Sequence, residues 1–384
     1  MSAWWGVSFA GAWLAADLLR LRLVERVLAK RRPAPRAVPV VVLQAIRGGD
    51  PTLAESLAHN LAELGSAGHE LCWLLDEDDL GGRAAADEAL ARVPGARACL
   101  QLHPPPPKGV NPKLFKLERV FSGLEREVLV VLDDDARLPR SSLDALVAAL
   151  PPDELVVATA LPTYHAGAGL GARLLATFVN DHAALTYLPW VARRAPLSLN
   201  GMAWAVRVES LRRIGGFAPL LGHLADDLAV ARAVLGRSGR IEQLSVPVWM
   251  RTELDGLAAY ARQMHRWMLF AWLLVEAQPW RTRVALFVCQ GVPALLPLCV
   301  VAAVCVRPSV AAGLVAGAAF LAHCALVRRA RVRVSGPPAR LRPFSSLVVA
   351  LLQPFFLAWS AVDRRIRWRD RRYRVHSNEN FTSL

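Results

Sequence analysis

The sequence predicts an α/β fold, a mainly parallel sheet flanked by helices, with hydrophobic helices at both ends of the chain. Three short apolar runs are typical of buried strands, at residues 38–43, 71–75 and 128–132. Helix-like stretches alternate with such runs as far as about residue 248, and this alternation indicates a parallel sheet. The carboxyl ends of the strands are where open α/β sheets bind ligands.

Composition indicates that part of the chain lies in a membrane. Of its 384 residues, 54% are hydrophobic, and the mean hydropathy of +0.29 is high for a soluble protein of this size. The net charge of +14 comes largely from arginine blocks beside apolar segments. That arrangement favours anionic headgroups over nucleic acid as the partner. The six cysteines lack the spacing of a zinc site or a disulfide framework.

Three regions follow from this pattern. Residues 1–32 are interpreted as an uncleaved membrane anchor with a basic flank, because the positive charges follow the apolar run instead of preceding it. Residues 33–266 form the predicted catalytic domain, entered through a linker at Pro33 and Pro35. Residues 267–384 hold an interfacial helix, membrane segments and a basic tail. We expect a multi-pass protein of the bacterial inner membrane with its catalytic domain on the cytoplasmic face.

The C-terminal region contains three apolar stretches, residues 284–306, 309–327 and 344–362. Each is long enough, at about 1.5 Å per residue, to cross most or all of a hydrocarbon layer of roughly 30 Å. Basic tracts bracket the third stretch, which conflicts with the positive-inside rule if that stretch crosses fully. We therefore expect one C-terminal segment to be re-entrant or interfacial, with a break at Pro354.

Two acidic clusters follow predicted strands. Asp133 and Asp135 are spaced so that both carboxylates can approach one divalent ion and the diphosphate that it bridges. Oxygen ligands favour Mg²⁺ or Mn²⁺. The other cluster, Asp76, Asp78 and Asp79, follows the strand at 71–75 and is a candidate for substrate binding.

A third acidic pair, Asp226 and Asp227, opens a predicted helix. One carboxylate, which we assign to Asp227, is placed to act as a general base, with Asp226 as a substrate-binding neighbour. The alternative is a pair of acids that only stabilise the helix N-terminus. Lys113, which follows Asn111 and Pro112 at the start of another predicted helix, could reach a phosphate or could be an ordinary solvated lysine.

The run from Gln263 to Trp267 precedes the apolar stretches. On a helix, Gln263, Arg266 and Trp267 share one face. A guanidinium that forks onto phosphate oxygens beside a flat indole suits a sugar diphosphate. The alternative is an amphipathic helix that rests on lipid with Arg and Trp at the headgroups.

The order of these motifs resembles the ceramide glucosyltransferase family from about Pro39 to Trp267. The segments that resemble the family's motifs are Arg47–Pro51, Asp76–Asp79, Gly109–Lys113, Asp133, Asp227 and Gln263-x-x-Arg266-Trp267. The resemblance implies a GT-A fold, with Asp79 helping to hold the nucleotide, Asp133 binding metal and diphosphate, and Asp227 as the base. Departures from the family pattern are Gln44, Leu80 and the additional Asp135. The additional Asp135 resembles the broader family of inverting glycosyltransferases and leaves the acceptor open.

These observations predict an inverting glycosyltransferase that moves a hexose or N-acetylhexosamine from a UDP-sugar to a hydroxyl of a membrane lipid. A ceramide-like, sphingolipid acceptor and a hopanoid-like acceptor both fit the resemblance. A processive polysaccharide synthase uses a similar motif set and remains an alternative, as does a membrane protein that binds nucleotide-sugar or lipid without turnover. The sequence specifies neither the sugar nor the oligomeric state.

Overall fold

A computed structural model describes residues 4–30, 38–336, 342–368 and 371–384, so the predicted linker at Pro33 and Pro35 lies outside the described residues. The chain forms two compact units, each assembled from segments that are distant in sequence. The sheet unit comprises Arg31–Gly167, Ala195–Glu253 and Arg367–Leu384, and the helical unit comprises Met1–Lys30, Ala168–Arg194 and Leu254–Ile366. The functional boundaries at residues 33 and 266 stay a prediction.

The sheet unit is built on one eight-stranded sheet. Its strands are β1 (Val40–Ala45), β2 (Glu70–Asp76), β3 (Cys99–His103), β4 (Val128–Leu132), β5 (Ala136–Arg137), β6 (Val156–Tyr164), β7 (Ala203–Arg207) and β8 (Arg240–Met250). Their order is β3-β2-β1-β4-β7-β6-β8-β5. Strands β1 to β4 are parallel, and β7 runs antiparallel between β4 and β6. The mainly parallel sheet and its three predicted strands are confirmed.

Helices and the remaining strands complete both units. The helices are α1 (Trp4–Leu28), α2 (Leu53–Asn60), α3 (Leu80–Arg92), α4 (Pro112–Phe121), α5 (Arg140–Ala148), α6 (Leu170–Val191), α7 (Val208–Arg213), α8 (Asp226–Leu235), α9 (Gly256–Glu276), α10 (Trp280–Leu286), α11 (Val292–Val306), α12 (Val310–Ser335) and α13 (Pro343–Val362). Strands β9 (Arg365–Trp368), β10 (Arg371–Val375) and β11 (Phe381–Ser383) lie near the C-terminus. β10 pairs antiparallel with β11.

The core of the sheet unit lies on one face of the central strands. Every residue of β4 and β7 is buried, which explains why these strands are nearly continuous apolar runs. Side chains from α4, α7 and α8 cover the face, where Phe217 packs edge-on against Phe121 with ring centroids 5.5 Å apart. Buried aromatic pairs of this geometry add to the stabilisation that burial provides. The packing fixes the N-termini of α4 and α8 relative to the end of β4.

Among the described residues, the helical unit contains three helical segments that are long and apolar enough to cross a membrane, Trp280–Val306, Val310–Ser335 and Pro343–Val362. The predicted break at Pro354 is wrong, because α13 continues through this residue. Proline removes one backbone hydrogen bond, a loss that neighbouring groups can compensate in a membrane helix. Whether one segment is re-entrant stays a prediction.

Helix α1 is tied to α12 by a buried polar pair. Asp17 Oδ2 lies 2.7 Å from His323 Nδ1, and the side chains are 1% and 9% exposed. Around them, Ala10 and Trp13 of α1 pack with Leu296, Val300 and Ala319. A second contact between the same helices is exposed, where Glu25 accepts from Arg329. The two contacts differ mainly in burial and therefore in how much they stabilise the unit.

We expect Asp17→Ala to lower the free energy of unfolding by about 3 kcal/mol, because it leaves a buried imidazole without its carboxylate partner. Glu25→Ala is the matched control on the same helix, with an expected loss below about 1 kcal/mol since its ion pair is solvated. Thermal unfolding of the detergent-solubilised protein measures both. Equal, small losses for the two variants would contradict the assigned role of Asp17.

Candidate active site

Strands β1, β2 and β4 are parallel neighbours, so their carboxyl ends meet at one edge of the sheet. Asp133, Asp134 and Asp135 follow β4 there. Gln44, near the end of β1, donates from Nε2 to the Asp133 carbonyl (3.3 Å) and accepts from Trp73 Nε1 of β2 (3.1 Å). These buried contacts fix the path of the chain where the acidic cluster begins.

Lys113 links two of the acidic clusters. Its Nζ lies 2.6 Å from Asp133 Oδ1 and 2.8 Å from Asp226 Oδ2, and it donates to the Gly201 carbonyl at 3.3 Å. Its side chain is only 15% exposed. Burial alone would lower the pKa of Lys113, but the two carboxylates outweigh burial and raise it. The lysine is therefore a charged bridge between carboxylates instead of an ordinary solvated residue.

The local sequence places Lys113 at this position. Asn111 caps α4, its side chain accepting from the backbone amides of Lys113 (2.9 Å) and Leu114 (3.2 Å). Pro112 occupies the first turn, where its missing N–H costs nothing. The predicted helix start is confirmed. The first turn of α4 is thereby rigid, and the ammonium of Lys113 reaches the end of β4.

Asp227 lies in the first turn of α8 beside the loop that contains Gly201. A methyl group added at Gly201 would lie 3.2 Å from the Asp227 Cβ, so glycine allows this close approach. The same loop is held to the end of β4 by a hydrogen bond from the Asp133 amide to the Met202 carbonyl (3.0 Å). Three segments distant in sequence thus bring Asp133, Asp226 and Asp227 together.

The environment of Asp227 suits a proton acceptor. Burial, followed by repulsion from Asp226, raises the pKa of Asp227 to about 7. Burial also raises the pKa of Asp133, against the opposing effect of Lys113. A carboxylate whose pKa lies near neutrality holds an abstracted proton better than an ordinary one. Asp227 is therefore chemically able to act as a general base.

The first acidic cluster is engaged by backbone and basic groups. Asp79 caps α3, accepting from the amides of Gly82 (3.0 Å) and Gly48 (2.7 Å). Asp76 Oδ1 lies 3.1 Å from Lys116 Nζ and its Oδ2 lies 3.2 Å from Arg47 Nη1.

Asp78 is exposed, 3.8 Å from the Arg47 guanidinium. Lys116 and Arg47 contact this cluster, although neither is among the predicted site residues. Lys116 follows Lys113 by three residues and so shares its helix face, a spacing that could have revealed it.

The end of β4 offers the donor types that Mg²⁺ and Mn²⁺ prefer. Asp133 takes part in the Lys113 bridge, and Asp135 Oδ2 accepts from Thr252 Oγ1 at 3.1 Å. Among the described residues, no three His, Cys, Asp or Glu side chains converge to hold a metal. Two carboxylates still fit such an ion, since it commonly takes its remaining ligands from substrate phosphates and water. The residues present therefore suit a metal that arrives with a diphosphate.

The Gln-x-x-Arg-Trp motif lies on α9 of the helical unit. Its helical conformation is confirmed, and Gln263 Oε1 accepts from Arg266 Nη2 at 2.9 Å. This contact orients the guanidinium along the helix face that also carries Trp267. The binding role of the three residues stays a prediction.

Comparison with known proteins identifies the chain. The family model described as glycosyl transferase family 21 matches residues 7–381. The chain belongs to glycosyl transferase family 21. The protein is therefore a glycosyltransferase, and the predicted resemblance to the ceramide glucosyltransferase family is confirmed. The alternative of a membrane protein that binds nucleotide-sugar or lipid without catalysis is wrong. No curated protein matches the chain.

The chain is similar to solved glycosyltransferase structures, and the mannosyltransferase match supports the GT-A fold. A mannosyltransferase from Pyrobaculum calidifontis, in complex with GDP-Man and Mn²⁺, is 17% identical with a TM-score of 0.53, and the match covers 92% of this chain and 99% of the other. GalNAc-T7 with UDP, GalNAc and Mn²⁺ is 11% identical with a TM-score of 0.44, covering 63% of this chain and 52% of the other. The predicted GT-A-like fold is confirmed.

Lys113→Met tests the bridge, because methionine keeps the length of the side chain and removes its charge. We expect the transferase to lose about 3 kcal/mol of stability, since two neighbouring carboxylates are left without a counter-charge. Lys108→Met, at an exposed lysine in the preceding loop, is the control and should change little. Thermal unfolding in detergent gives the comparison, and similar melting temperatures for both variants would rule out the bridge as a stabilising contact.

Proposed function

We propose that this transferase catalyses inverting transfer of a hexose or N-acetylhexosamine from a UDP-sugar to a hydroxyl of a membrane lipid. The observation that carries the proposal is the convergence of Asp133, Asp226 and Asp227 around Lys113 at the end of β4. Asp133 is a candidate metal ligand, and Asp227 has the raised pKa that suits a base. A family 21 chain with three apolar helices provides the setting.

The chemical step is a single displacement. The Asp227 carboxylate takes the proton of the acceptor hydroxyl as its oxygen bonds to the anomeric carbon, and the bond from that carbon to the diphosphate oxygen breaks. The electron pair leaves with the nucleoside diphosphate, and the anomeric configuration inverts because attack comes from the opposite face. Burial of Asp227 supports this role, since it raises the pKa of the carboxylate.

The donor diphosphate would bind beside Asp133 and Asp135. A divalent metal held by these residues would act as a Lewis acid that offsets charge on the leaving group. The presence of Mn²⁺ in the mannosyltransferase complex supports this reading. Lys113 adds a fixed positive charge at the same end of the sheet. Asp76, Asp78 and Asp79 are proposed to shape the nucleotide site, and Gln263, Arg266 and Trp267 keep their predicted role in donor binding.

The apolar helices favour a lipid as acceptor, with a ceramide-like or a hopanoid-like molecule as the two candidates. A polysaccharide synthase is the second candidate within glycosyltransferases, although the small number of apolar helices in the described C-terminal residues argues against a polymer-conducting channel. Incubating membranes with labelled nucleotide-sugars distinguishes the lipid transferase from the polysaccharide synthase. A lipid that carries one sugar enters the organic phase, whereas a polymer does not. Parallel assays with UDP- and GDP-sugars test the nucleotide, because the mannosyltransferase complex contains GDP-Man.

Asp227→Asn is expected to reduce transfer to lipid by roughly 10²–10⁴-fold, the usual contribution of a general base. Donor binding should persist, since an amide of the same shape occupies the position. The melting temperature should be unchanged or higher at neutral pH. The folded-state pKa of Asp227 is raised, so ionisation opposes folding as the pH rises, and the amide removes that cost.

The exposed Asp87→Asn serves as the control for an aspartate substitution elsewhere in the sheet unit. Label in the organic phase measures turnover, and nucleotide binding is followed by calorimetry. Wild-type turnover in Asp227→Asn would exclude this residue as the base.

Asp135→Asn tests the metal assignment separately from the base. We expect the Mn²⁺ concentration for half-maximal activity to rise roughly tenfold or more, because one charged ligand is replaced by a weaker neutral one. Addition of EDTA should abolish activity of the parent protein, and excess Mn²⁺ should restore it. An unchanged Mn²⁺ requirement in Asp135→Asn would show that Asp135 does not bind the metal.

A further inference from the structure

The segment that leads into α8 is irregular, and its last two residues are buried. Residues 221–225 connect a short 3-10 turn, Ala218–Leu220, to the helix that begins with Asp226. Leu224 and Ala225 are 2% and 3% exposed. Their backbone groups lie outside a regular helix or strand, so each needs another partner to avoid a buried unpaired donor or acceptor. The partners come from two distant parts of the chain.

Asn111 satisfies one side of this segment. Its side-chain Nδ2 donates to the backbone carbonyls of His223 (3.1 Å) and Leu224 (2.9 Å), and its backbone N–H donates to the Leu221 carbonyl (2.8 Å). The same asparagine caps the helix that carries Lys113. The lysine and the segment before the base are therefore held by one side chain.

The C-terminal turn satisfies the other side. The backbone carbonyl of Asn378 accepts from the backbone N–H of Leu224 (2.9 Å), and its side-chain Oδ1 accepts from the backbone N–H of Ala225 (2.7 Å). Its Nδ2 donates to the Ala225 carbonyl (3.1 Å). Ala225 is the residue before α8 and has no side chain able to cap the helix. Asn378 therefore imposes the extended conformation from which Asp226 and Asp227 emerge.

The turn that presents Asn378 is itself fixed. Ser377 Oγ accepts from the amides of Glu379 (3.3 Å) and Asn380 (3.0 Å). Glu379 extends its carboxylate to Arg232 Nη1 of α8 (2.8 Å) and lies 3.3 Å from His223 Nε2. Strands β10 and β11, on either side of the turn, pair with each other. The turn is thus joined both to the segment before α8 and to the helix.

We propose that the C-terminal turn at residues 377–380 positions the Asp227 carboxylate, and that Asn378 is the positioning residue. The inference rests on the proposed role of Asp227. Ala225 lies two residues before Asp227, so a change in its backbone torsions would move the carboxylate that meets the acceptor hydroxyl. Misplacing a catalytic group by about 1 Å can cost on the order of 10²-fold in rate.

The test compares Asn378→Ala with Asn380→Ala in the full-length protein. Asn380 is an exposed asparagine of the same turn, and its side chain makes none of these contacts. We expect Asn378→Ala to lower kcat by roughly 10–100-fold, with the KM for the donor and the Kd for UDP within about twofold of the parent protein. Asn380→Ala should have the same kcat, donor KM and Kd for UDP as the parent protein. Assays are run well below the melting temperature of each variant, so that only folded protein is compared.

A double variant shows whether Asn378 acts through Asp227. In an Asp227→Asn background, adding Asn378→Ala should lower the residual turnover by less than about twofold, because no base remains to be positioned. Wild-type kcat in Asn378→Ala would overturn the inference. It would also be overturned by a raised donor KM, or by a full further loss in the double variant, since either result indicates a general structural role.

The failure of this inference is distinguishable from failure of the proposed function. An inactive Asp227→Asn together with a fully active Asn378→Ala would remove only the positioning role of the turn. An active Asp227→Asn would remove the base, and the positioning role would fall with it.

Discussion

The candidate active site depends on the Lys113 ammonium, which lies between two carboxylates. Asp133 and Asp226 come from β4 and α8, and burial would make their mutual repulsion costly without Lys113 within 2.8 Å of both. That bridge requires the first turn of α4 to be rigid, which Asn111 and Pro112 achieve. The fold therefore brings Asp133 and Asp226 together by placing the Lys113 ammonium between them.

The same arrangement has a cost for stability that follows from its chemistry. Asp227 has a folded-state pKa above its ordinary value, so the ionised form that the proposed base would need is the form that burial opposes. Stability associated with this group is present at low pH and is lost as the pH rises toward the folded-state pKa. The continuous burial of β4 and β7 and the hydrogen bonds around residues 221–225 offset that loss. A less densely connected framework would let the carboxylates separate.

Local patterns were enough to predict much of this structure. The strands, the start of α4 and the helix opened by Asp226 follow from short-range rules, and parallel strands then place the acidic clusters at one edge. The bridging role of Lys113 could not be predicted, since it joins residues 20 and 113 positions apart. The same holds for Asn378, which pairs with Ala225 across 153 positions. At Pro354 a local rule gave a wrong prediction. Proline predicts a helix break, but α13 continues through this residue because a membrane-type helix tolerates the lost hydrogen bond.

Asp79 shows how a family motif can act through architecture. Its carboxylate accepts from the amides of Gly48 and Gly82, so both oxygens already serve the backbone. A methyl group at Gly48 would lie 2.5 Å from the Gly82 nitrogen, which means that the loop after β1 and the first turn of α3, which follows β2, touch backbone to backbone. Asp79 holds this contact closed. A nucleotide bound at this edge would then meet the surface that the two loops form together, and the contribution of the aspartate would be to keep that surface in shape.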